Sequence, residues 1–183
     1  MQATYVSELY DDFLFSIKDY TYLSADVSNE DIEEDLAYFL KKAKAKFRKC
    51  KNRLDTLKDD SGQEYFGYIE KKIVKVPVVG TTDFIEEVVE TIVEVELTEM
   101  EKSILTHLMV VEHLKPQVLS SEVLRPSLSD KSFKIYSQAN HLRELNLLYR
   151  LFQKECNKMI TEYTYVDLEG KQWLIMMKDW LYT

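Results

Sequence analysis

The chain has 183 residues, of which 45% are hydrophobic and 31% are charged, with only four glycines and three prolines. This balance excludes global disorder, and the scarcity of Gly and Pro favours long helices over a β fold with many turns. The formal net charge of −8 excludes attraction of the whole surface to nucleic acid or to an anionic membrane. Because neither a signal peptide nor an apolar run of the ~20 residues that a membrane span needs is visible, we expect a cytoplasmic chain.

Two helices are predicted in the first third of the chain. Residues 7–18 carry an apolar residue at every fourth position, which is typical of a short amphipathic helix. Residues 28–57 are predicted to form a longer helix, in which Ser28 is the N-cap and Asp31 stands in for the glutamate of a capping box. The apolar positions of this second helix follow a heptad-like seam that suits packing along another helix. The seam consists of Ile32, Leu36, Phe39, Ala43, Phe47, Cys50 and Leu54.

Residues 64–97 are predicted to form a long antiparallel β-ribbon, which follows a turn at 59–63. The first strand is rich in β-branched and aromatic residues up to Pro77, which a central strand would not accept. The second strand, 84–97, also fits a helical stripe, but its β-branched density and its alternation with glutamate favour a strand. Three lysines of the first strand are placed to face glutamates across the ribbon: Lys71, Lys72 and Lys75.

Two stretches of the chain are strongly charged. From Asp83 to Glu101 there are eight carboxylates and no Lys or Arg. The ordinary interpretation is a charged face that keeps an exposed ribbon from aggregating. The alternatives are a surface for a basic partner and the lining of a channel along which DNA slides. The basic run 41–58 is interpreted as a solvated helix face, with contacts to DNA phosphates or to an acidic protein as alternatives.

Two further helices are predicted in the C-terminal half. A Thr–Glu capping box at 98–101 opens a helix over 99–115, and Pro116 ends or kinks it. The longest helix, at about 130–162, contains no Gly or Pro. Residues 163–183 are predicted to form an aromatic-rich hairpin, which either caps the core or adds a strand to a neighbouring protein.

These elements predict a single domain over residues 1–183, of mainly α and overall α+β class. Its main part is a bundle of long helices, because amphipathic helices bury their apolar stripes against one another. The β-ribbon is inserted between the second and third helices, and a β-hairpin follows the last helix.

No motif for catalysis, metal binding or nucleotide binding occurs in the chain, and four glycines do not suffice for a Gly-rich phosphate loop. His107 and His113 are six residues apart, which places them on different faces of one helix, and His141 stands alone. Cys50 and Cys156 fall on apolar stripes and are predicted to be buried, reduced thiols. The sequence therefore predicts a protein that is not an enzyme, with no catalytic, cofactor-binding or metal-binding residues.

The segment from Leu97 to Tyr165 resembles a known family. Its words LTEMEKSIL, HLMVVEHLKP and LSDKSFKIYSQANHLREL are similar to those of small proteins encoded among the head and neck genes of tailed bacteriophages of low-GC Gram-positive hosts. Those proteins are head-to-tail connectors of the neck adaptor or head-completion type. The resemblance covers about 70 of the 183 residues and contains no catalytic signature.

This resemblance implies a structural virion protein of the phage neck, assembled in the host cytoplasm. Copies would form a homo-oligomeric ring below the portal, commonly a dodecamer, that binds the portal protein and the next neck or tail protein. The ring would extend the channel for double-stranded DNA, which would pass through without sequence-specific binding. The ribbon at 64–97 departs from the smallest members of the family and leaves the neck layer open.

Two other functions are compatible with the residues. A soluble helical scaffolding or regulatory protein would bind one partner through its amphipathic helices, chiefly through the seam of 28–57. An enzyme or nuclease accessory would need a converging polar site, which the sequence does not reveal.

Overall fold

A computed structural model describes residues 3–17, 28–77, 84–124 and 133–166 of the chain. Within these ranges the chain forms four helices and a three-stranded antiparallel sheet, which confirms the predicted α+β class. The elements are α1 (Val6–Ile17), α2 (Asn29–Lys46), β1 (Thr56–Lys58), β2 (Glu64–Pro77), β3 (Phe84–Glu94), α3 (Glu99–Leu124) and α4 (Phe133–Tyr165). In the sheet, β2 lies between β1 and β3.

The chain divides into two compact units. The arm unit consists of Met1–Glu8 and Asn52–Thr98, and it contains the sheet. The helical unit consists of Leu9–Lys51 and Glu99–Thr183, and it contains α2, α3 and α4. The sequence prediction of a single domain stays a prediction.

Helix α3 is the central element of the helical unit, since it packs against both α2 and α4. Apolar side chains are buried on all its sides between Ile104 and Leu114, which is the pattern of a helix surrounded by others. Beside it, the ring centroids of Phe13 and Phe39 lie 5.8 Å apart, and both rings meet the ring of His113 nearly at right angles. None of the helices in the described ranges combines the length and apolarity that crossing a membrane requires.

The N-terminal part of α2 agrees with the sequence prediction. Ser28 is the N-cap, and its Oγ accepts a hydrogen bond from the N–H of Asp31 at 3.1 Å while donating one to the Asp31 carboxylate at 2.7 Å. The first of these bonds satisfies one of the N–H groups of the first turn that have no partner within the helix. The predicted seam is buried at Leu36, Phe39 and Ala43, so its apolar surface is used inside the helical unit.

The predicted C-terminal end of this helix at residue 57 is wrong, because α2 ends at Lys46. Phe47 is the C-cap, and its ring centroid lies 5.1 Å from that of Tyr163 on α4. The N–H of Lys51 then donates to the Tyr163 hydroxyl at 2.9 Å rather than to a carbonyl one turn back. A contact with a residue that is distant in sequence therefore ends a run whose local composition favours a helix.

The predicted end of the next helix at residue 115 is also wrong, because α3 continues through Pro116 to Leu124. Proline removes one backbone hydrogen bond and crowds a carbonyl of the preceding turn, which costs about 3 kcal/mol in a helix interior. Leu114 and Val118 lie on either side of the proline, four residues apart, and are 7% and 5% exposed. Burial of this face continues across the proline and offsets the cost.

Helix α4 continues to Tyr165, beyond the predicted end at 162. Tyr163 was assigned by the sequence to a C-terminal hairpin, and it is instead helical and 5% exposed. The remainder of the predicted hairpin, 167–183, lies outside the described residues, as does the predicted start of α4 before Phe133.

The predicted antiparallel pairing of the β-ribbon is confirmed, since β2 and β3 pair over eleven residue pairs, but the second strand ends at Glu94 and not at the predicted residue 97. The turn at 59–63 is also as predicted: the Asp59 carboxylate accepts hydrogen bonds from the N–H groups of Ser61 and Gln63, and Gly62 has a φ of 84°. Sequence analysis missed β1, which pairs with the first three residues of β2.

Thr4 joins the N-terminal segment to the base of the ribbon. Its N–H donates to the Val95 carbonyl at 3.1 Å, and its carbonyl accepts from the Phe66 N–H at 2.9 Å. Its hydroxyl accepts from the Leu97 N–H at 2.9 Å. Because these partners come from the two strand ends, a residue that is 3% exposed holds both strands in register where the ribbon begins.

Candidate functional site

The outer part of the ribbon is the strongest candidate for a functional surface. We call residues 67–77 and 84–94 the arm. Residues that pair across antiparallel strands point to the same face, and successive residues alternate between faces. One face therefore carries three successive cross-strand pairs, which we call the rung face: Ile69–Ile92, Lys71–Glu90 and Ile73–Val88.

The apolar side chains of the rung face are open to solvent. Ile73 is 67% exposed, Ile92 62%, Val88 56% and Ile69 46%. Single exposed aliphatic residues are common on protein surfaces, but two exposed aliphatic pairs on one face of a ribbon indicate a contact surface for a partner. The arm extends beyond the part of β2 that β1 pairs, so no other strand in the described ranges adds to this sheet there.

An ion pair separates the two apolar rungs. Lys71 Nζ lies 2.7 Å from Glu90 Oε1, and both side chains are more than half exposed. The hydrogen bond to the Glu90 carboxylate and its negative charge raise the pKa of the Lys71 amine above its ordinary value. Such an exposed pair contributes little to stability because solvent screens it, so its main consequence is to place charges of opposite sign on the two strands.

The opposite face of the arm is arranged differently. Lys72 was expected to face a glutamate across the ribbon, but it lies opposite Val89 and pairs with Glu70 of its own strand at 3.1 Å. Near the base, the Arg53 guanidinium lies 4.2 Å from the centroid of the Tyr68 ring. This face therefore has its base covered by a neighbouring side chain. Among the three lysines, the predicted cross-strand contact is confirmed for Lys71.

Gly67 marks the boundary between the buried base and the open rung face. A Cβ at this position would lie 3.0 Å from the Tyr65 ring and 3.0 Å from the Val93 carbonyl oxygen. The Tyr65 ring occupies this space, and its centroid lies 6.2 Å from that of Tyr5. The glycine thus lets an aromatic side chain close the base, after which the rung face is open.

A buried polar cluster lies in the helical unit, where the segment that follows α2 meets α3 and α4. Glu101 has no exposed surface, and its Oε1 accepts hydrogen bonds from the Tyr163 hydroxyl at 2.5 Å and from the Cys50 thiol at 3.3 Å. Burial and the hydrogen bond to Glu101 raise the pKa of Tyr163. The Lys51 amine also donates to the Val166 carbonyl. A substrate cannot reach the Glu101 carboxylate because it is fully buried. The cluster therefore stabilises the contact between chain segments and is not a reaction site.

A cleft of about 720 Å³ lies between α2 and α3. Part of the basic run 41–58 lines this cleft. Two carboxylates, those of Asp35 and Glu112, lie among these cations, and the buried Glu112 pairs with Lys46. The cleft is therefore not the uniformly basic surface that contacts to successive DNA phosphates require. Its charged lining residues are Asp35, Lys42, Lys46, Arg48, Glu112 and Lys115.

The histidines do not converge. His107 Nδ1 lies 2.8 Å from the Ser103 carbonyl, and His113 contacts Gln117 and the two phenylalanine rings described above. His141 has no described side chain. Over 3–17, 28–77, 84–124 and 133–166, no group of three or more His, Cys, Asp or Glu is placed to hold a metal ion.

Both cysteines carry thiols rather than a disulfide bond. Cys156 is buried, and burial, with a contribution from the nearby Glu155, raises its pKa to about 11. Cys50 is half-buried and lies beyond the end of α2, so its predicted burial and its predicted place on a helical stripe are both wrong. Cys50 lies outside the helix because α2 ends earlier than predicted.

No protein-family model, curated protein or solved structure matches the chain. The candidate surface therefore stands on its own geometry. Sequence analysis found the ribbon but did not single out Ile69, Ile73, Val88, Glu90 and Ile92 as one surface. The alternation of residue types in both strands was the signal for this surface. It shows which residues share one face of the ribbon only when the pairing register of the two strands is known.

Proposed function

We propose that this protein is a non-enzymatic structural subunit that holds neighbouring protein chains through its arm. In its specific form, the proposal is the one that the sequence resemblance implies: a ring-forming head-to-tail connector of a phage neck, in contact with the portal and with the next neck or tail protein. The observation that carries the general proposal is the exposed rung face, whose four aliphatic side chains form two pairs on either side of the Lys71–Glu90 ion pair.

The rung face has enough apolar surface to matter in an assembly, but not enough to act alone. Burying a fully exposed Val or Ile side chain stabilises by about 1.5–3 kcal/mol, so half of that for four side chains amounts to about 3–6 kcal/mol. Association costs of similar size are subtracted from this gain. A single arm contact is therefore weak, and it becomes effective where several copies are held together, as in a ring.

A helical scaffolding role through α4 is the second candidate. The seam of α2 that sequence analysis offered for this role is buried in the helical unit at Leu36, Phe39 and Ala43. Helix α4 instead exposes Leu147 and Leu151, which are 52% and 63% exposed and four residues apart. This pair would favour a partner helix on α4.

Two matched substitutions separate these candidates. Ile73→Glu introduces a charge on the rung face, and Leu151→Glu introduces the same charge on α4 at nearly the same exposure. The purified variants are mixed with the portal protein of the same genome, and the mass of the complex is measured by light scattering. We expect the unchanged chain and Leu151→Glu to form a stoichiometric complex, and Ile73→Glu to lose it. The opposite result would transfer the binding role to α4.

Shortening the arm gives a stronger form of the test. Residues 70–91 are removed, and Ile69 is joined to Ile92 by an Asn–Gly turn, which suits a two-residue hairpin. The base, with Thr4 and Gly67, is kept. We expect far-UV circular dichroism to show the helices intact and the complex with the portal to be lost. A shortened chain that still binds would overturn the role of the arm, and an unchanged chain that ignores the portal would overturn the neck assignment.

A further inference from the structure

The charges of the rung face are divided between the two strands. Lys71 lies on β2 and Glu90 lies opposite it on β3, with one apolar pair before them and one after them. The rung face thus consists of an apolar, a charged and a second apolar rung. The charged rung is positive on β2 and negative on β3. A pattern of this kind distinguishes between the ways in which a second surface can be laid on it.

Two copies of the arm stacked with their rung faces together have two simple symmetric arrangements. A two-fold axis along the arm places β2 of one copy over β3 of the other. Lys71 then faces the partner's Glu90, and Ile69 and Ile73 face the partner's Ile92 and Val88. A two-fold axis across the arm at the central rung places β2 over β2, so that Lys71 faces another Lys71. Opposite charges attract and like charges repel when two faces are in contact. Only the arrangement with the two-fold axis along the arm therefore matches both charge and apolarity.

We propose that in the free protein the rung face of one copy is covered by the rung face of a second copy, with the two-fold axis running along the arm. This inference rests on the proposed function, because it assigns an occupant to the same surface. The twist of two-stranded ribbons makes stacked arms cross at an angle, so the contact is confined to the three central rungs. The charged rung therefore lies at the crossing point and decides the arrangement.

A contact of this symmetry joins two copies and does not close a ring, because both copies use the same patch. It keeps the apolar rungs away from water and from unrelated chains before assembly. When the portal binds, the contacts of the assembly replace this one on the rung face. A small patch of this size gives a weak dimer, which is detected at high protein concentration.

Single charge reversals provide the test. Lys71→Glu leaves two carboxylates on the charged rung, and Glu90→Lys leaves two amines, so each variant repels its own copy in the proposed arrangement. A mixture of the two variants restores attraction at both contacts. Self-association is measured by sedimentation equilibrium, and the mixture is followed with fluorescence-labelled Lys71→Glu and unlabelled Glu90→Lys.

The other face of the arm offers a matched control. Lys72→Glu and Glu70→Lys make the same changes in net charge and break a similar exposed ion pair, but their side chains lie on the opposite face. If the rung face is covered as proposed, these two variants self-associate like the unchanged chain. General attraction between oppositely charged chains would instead strengthen both mixtures equally.

We expect each rung-face variant to weaken the dimer at least about tenfold in Kd, and their mixture to return to within about threefold of the unchanged chain. The inference is overturned by an unchanged chain that stays monomeric up to about 1 mM, by a mixture no tighter than its components, or by an equal effect of the control pair. The portal is absent from this experiment, so its failure leaves the result of the arm-shortening test standing, and a failed portal test likewise leaves this one standing.

Discussion

Replacing Tyr163 with Phe tests how far the cluster around Glu101 stabilises the helical unit. The Tyr163 hydroxyl donates to Glu101 Oε1 at 2.5 Å and accepts from the Lys51 N–H at 2.9 Å, so the substitution removes both hydrogen bonds and leaves the ring in place. A hydrogen bond to a charged group is worth about 1.5–3 kcal/mol, and one between neutral groups about 0.5–1.5 kcal/mol. We therefore expect the free energy of unfolding to fall by about 2–4.5 kcal/mol.

Urea unfolding followed by far-UV circular dichroism measures this change, since the helices dominate that signal. Tyr165→Phe is the control, because Tyr165 lies on the same helix but is 66% exposed and should shift the free energy by less than about 0.5 kcal/mol. A double-mutant cycle with Glu101→Gln should show that the two substitutions are coupled. Equal effects of Tyr163→Phe and Tyr165→Phe, or additive effects in the cycle, would refute the reasoning.

Two further predictions concern the buried thiol and the base of the arm. The folded pKa of Cys156 is about 11 and its ordinary value is 9.0, so the stability that the neutral thiol contributes is fully present below pH 9 and is lost as the pH rises to 11. The free energy of unfolding should fall by about 2–3 kcal/mol more over this window in the unchanged chain than in Cys156→Ala, as urea titrations at successive pH values would show. Gly67→Ala should destabilise the arm unit by about 1–3 kcal/mol, because its Cβ would lie 3.0 Å from the Tyr65 ring and the Val93 carbonyl oxygen. Hydrogen exchange of the Phe66 and Val95 N–H groups, which are bonded at the base, would report this loss, and unchanged protection would contradict it.

Local periodicity was sufficient to predict most of the secondary structure. The apolar spacing of α2 from Ile32 to Ala43, the alternation in β3 and the cap at Ser28 are all short-range patterns, and all were confirmed. Such patterns depend on which residues share a face of one element, which the sequence shows directly. The pairing of β2 with β3 followed from their proximity in the chain and the turn-forming residues between them.

Features that depend on distant residues were not predicted. The end of α2 is determined by Tyr163, which lies 112 positions beyond Lys51, and no local signal separates this run from a continuing helix. Helix α3 continues through Pro116 because Leu114 and Val118 are buried. Helix propensity, which depends on residue type alone, contains no information on this burial. Likewise, the three bonds made by Thr4 join segments more than sixty residues apart. Tertiary contacts override local preference in each case.

The candidate surface shows the same division between local and long-range information. From the sequence, the stretch from Asp83 to Glu101 was an acidic strand that could resist aggregation, meet a basic partner or line a DNA channel. The structure places Lys71 against Glu90, so this lysine of β2 offsets part of the charge. A surface with adjacent charges of both signs repels DNA weakly, because the two fields cancel within a few ångströms.

The same cancellation makes the arm selective at short range. A partner that approaches the rung face meets opposite charges 2.7 Å apart, between two apolar rungs. Only a surface with the reverse order of charge and with apolar groups on either side matches all three rungs at once, and a surface with the same order of charge brings like charges together as water is excluded. The rung face is therefore better suited to recognising a protein surface of defined pattern than to guiding DNA. This conclusion favours the arm as the part of the molecule that joins chains, whichever layer of an assembly they form.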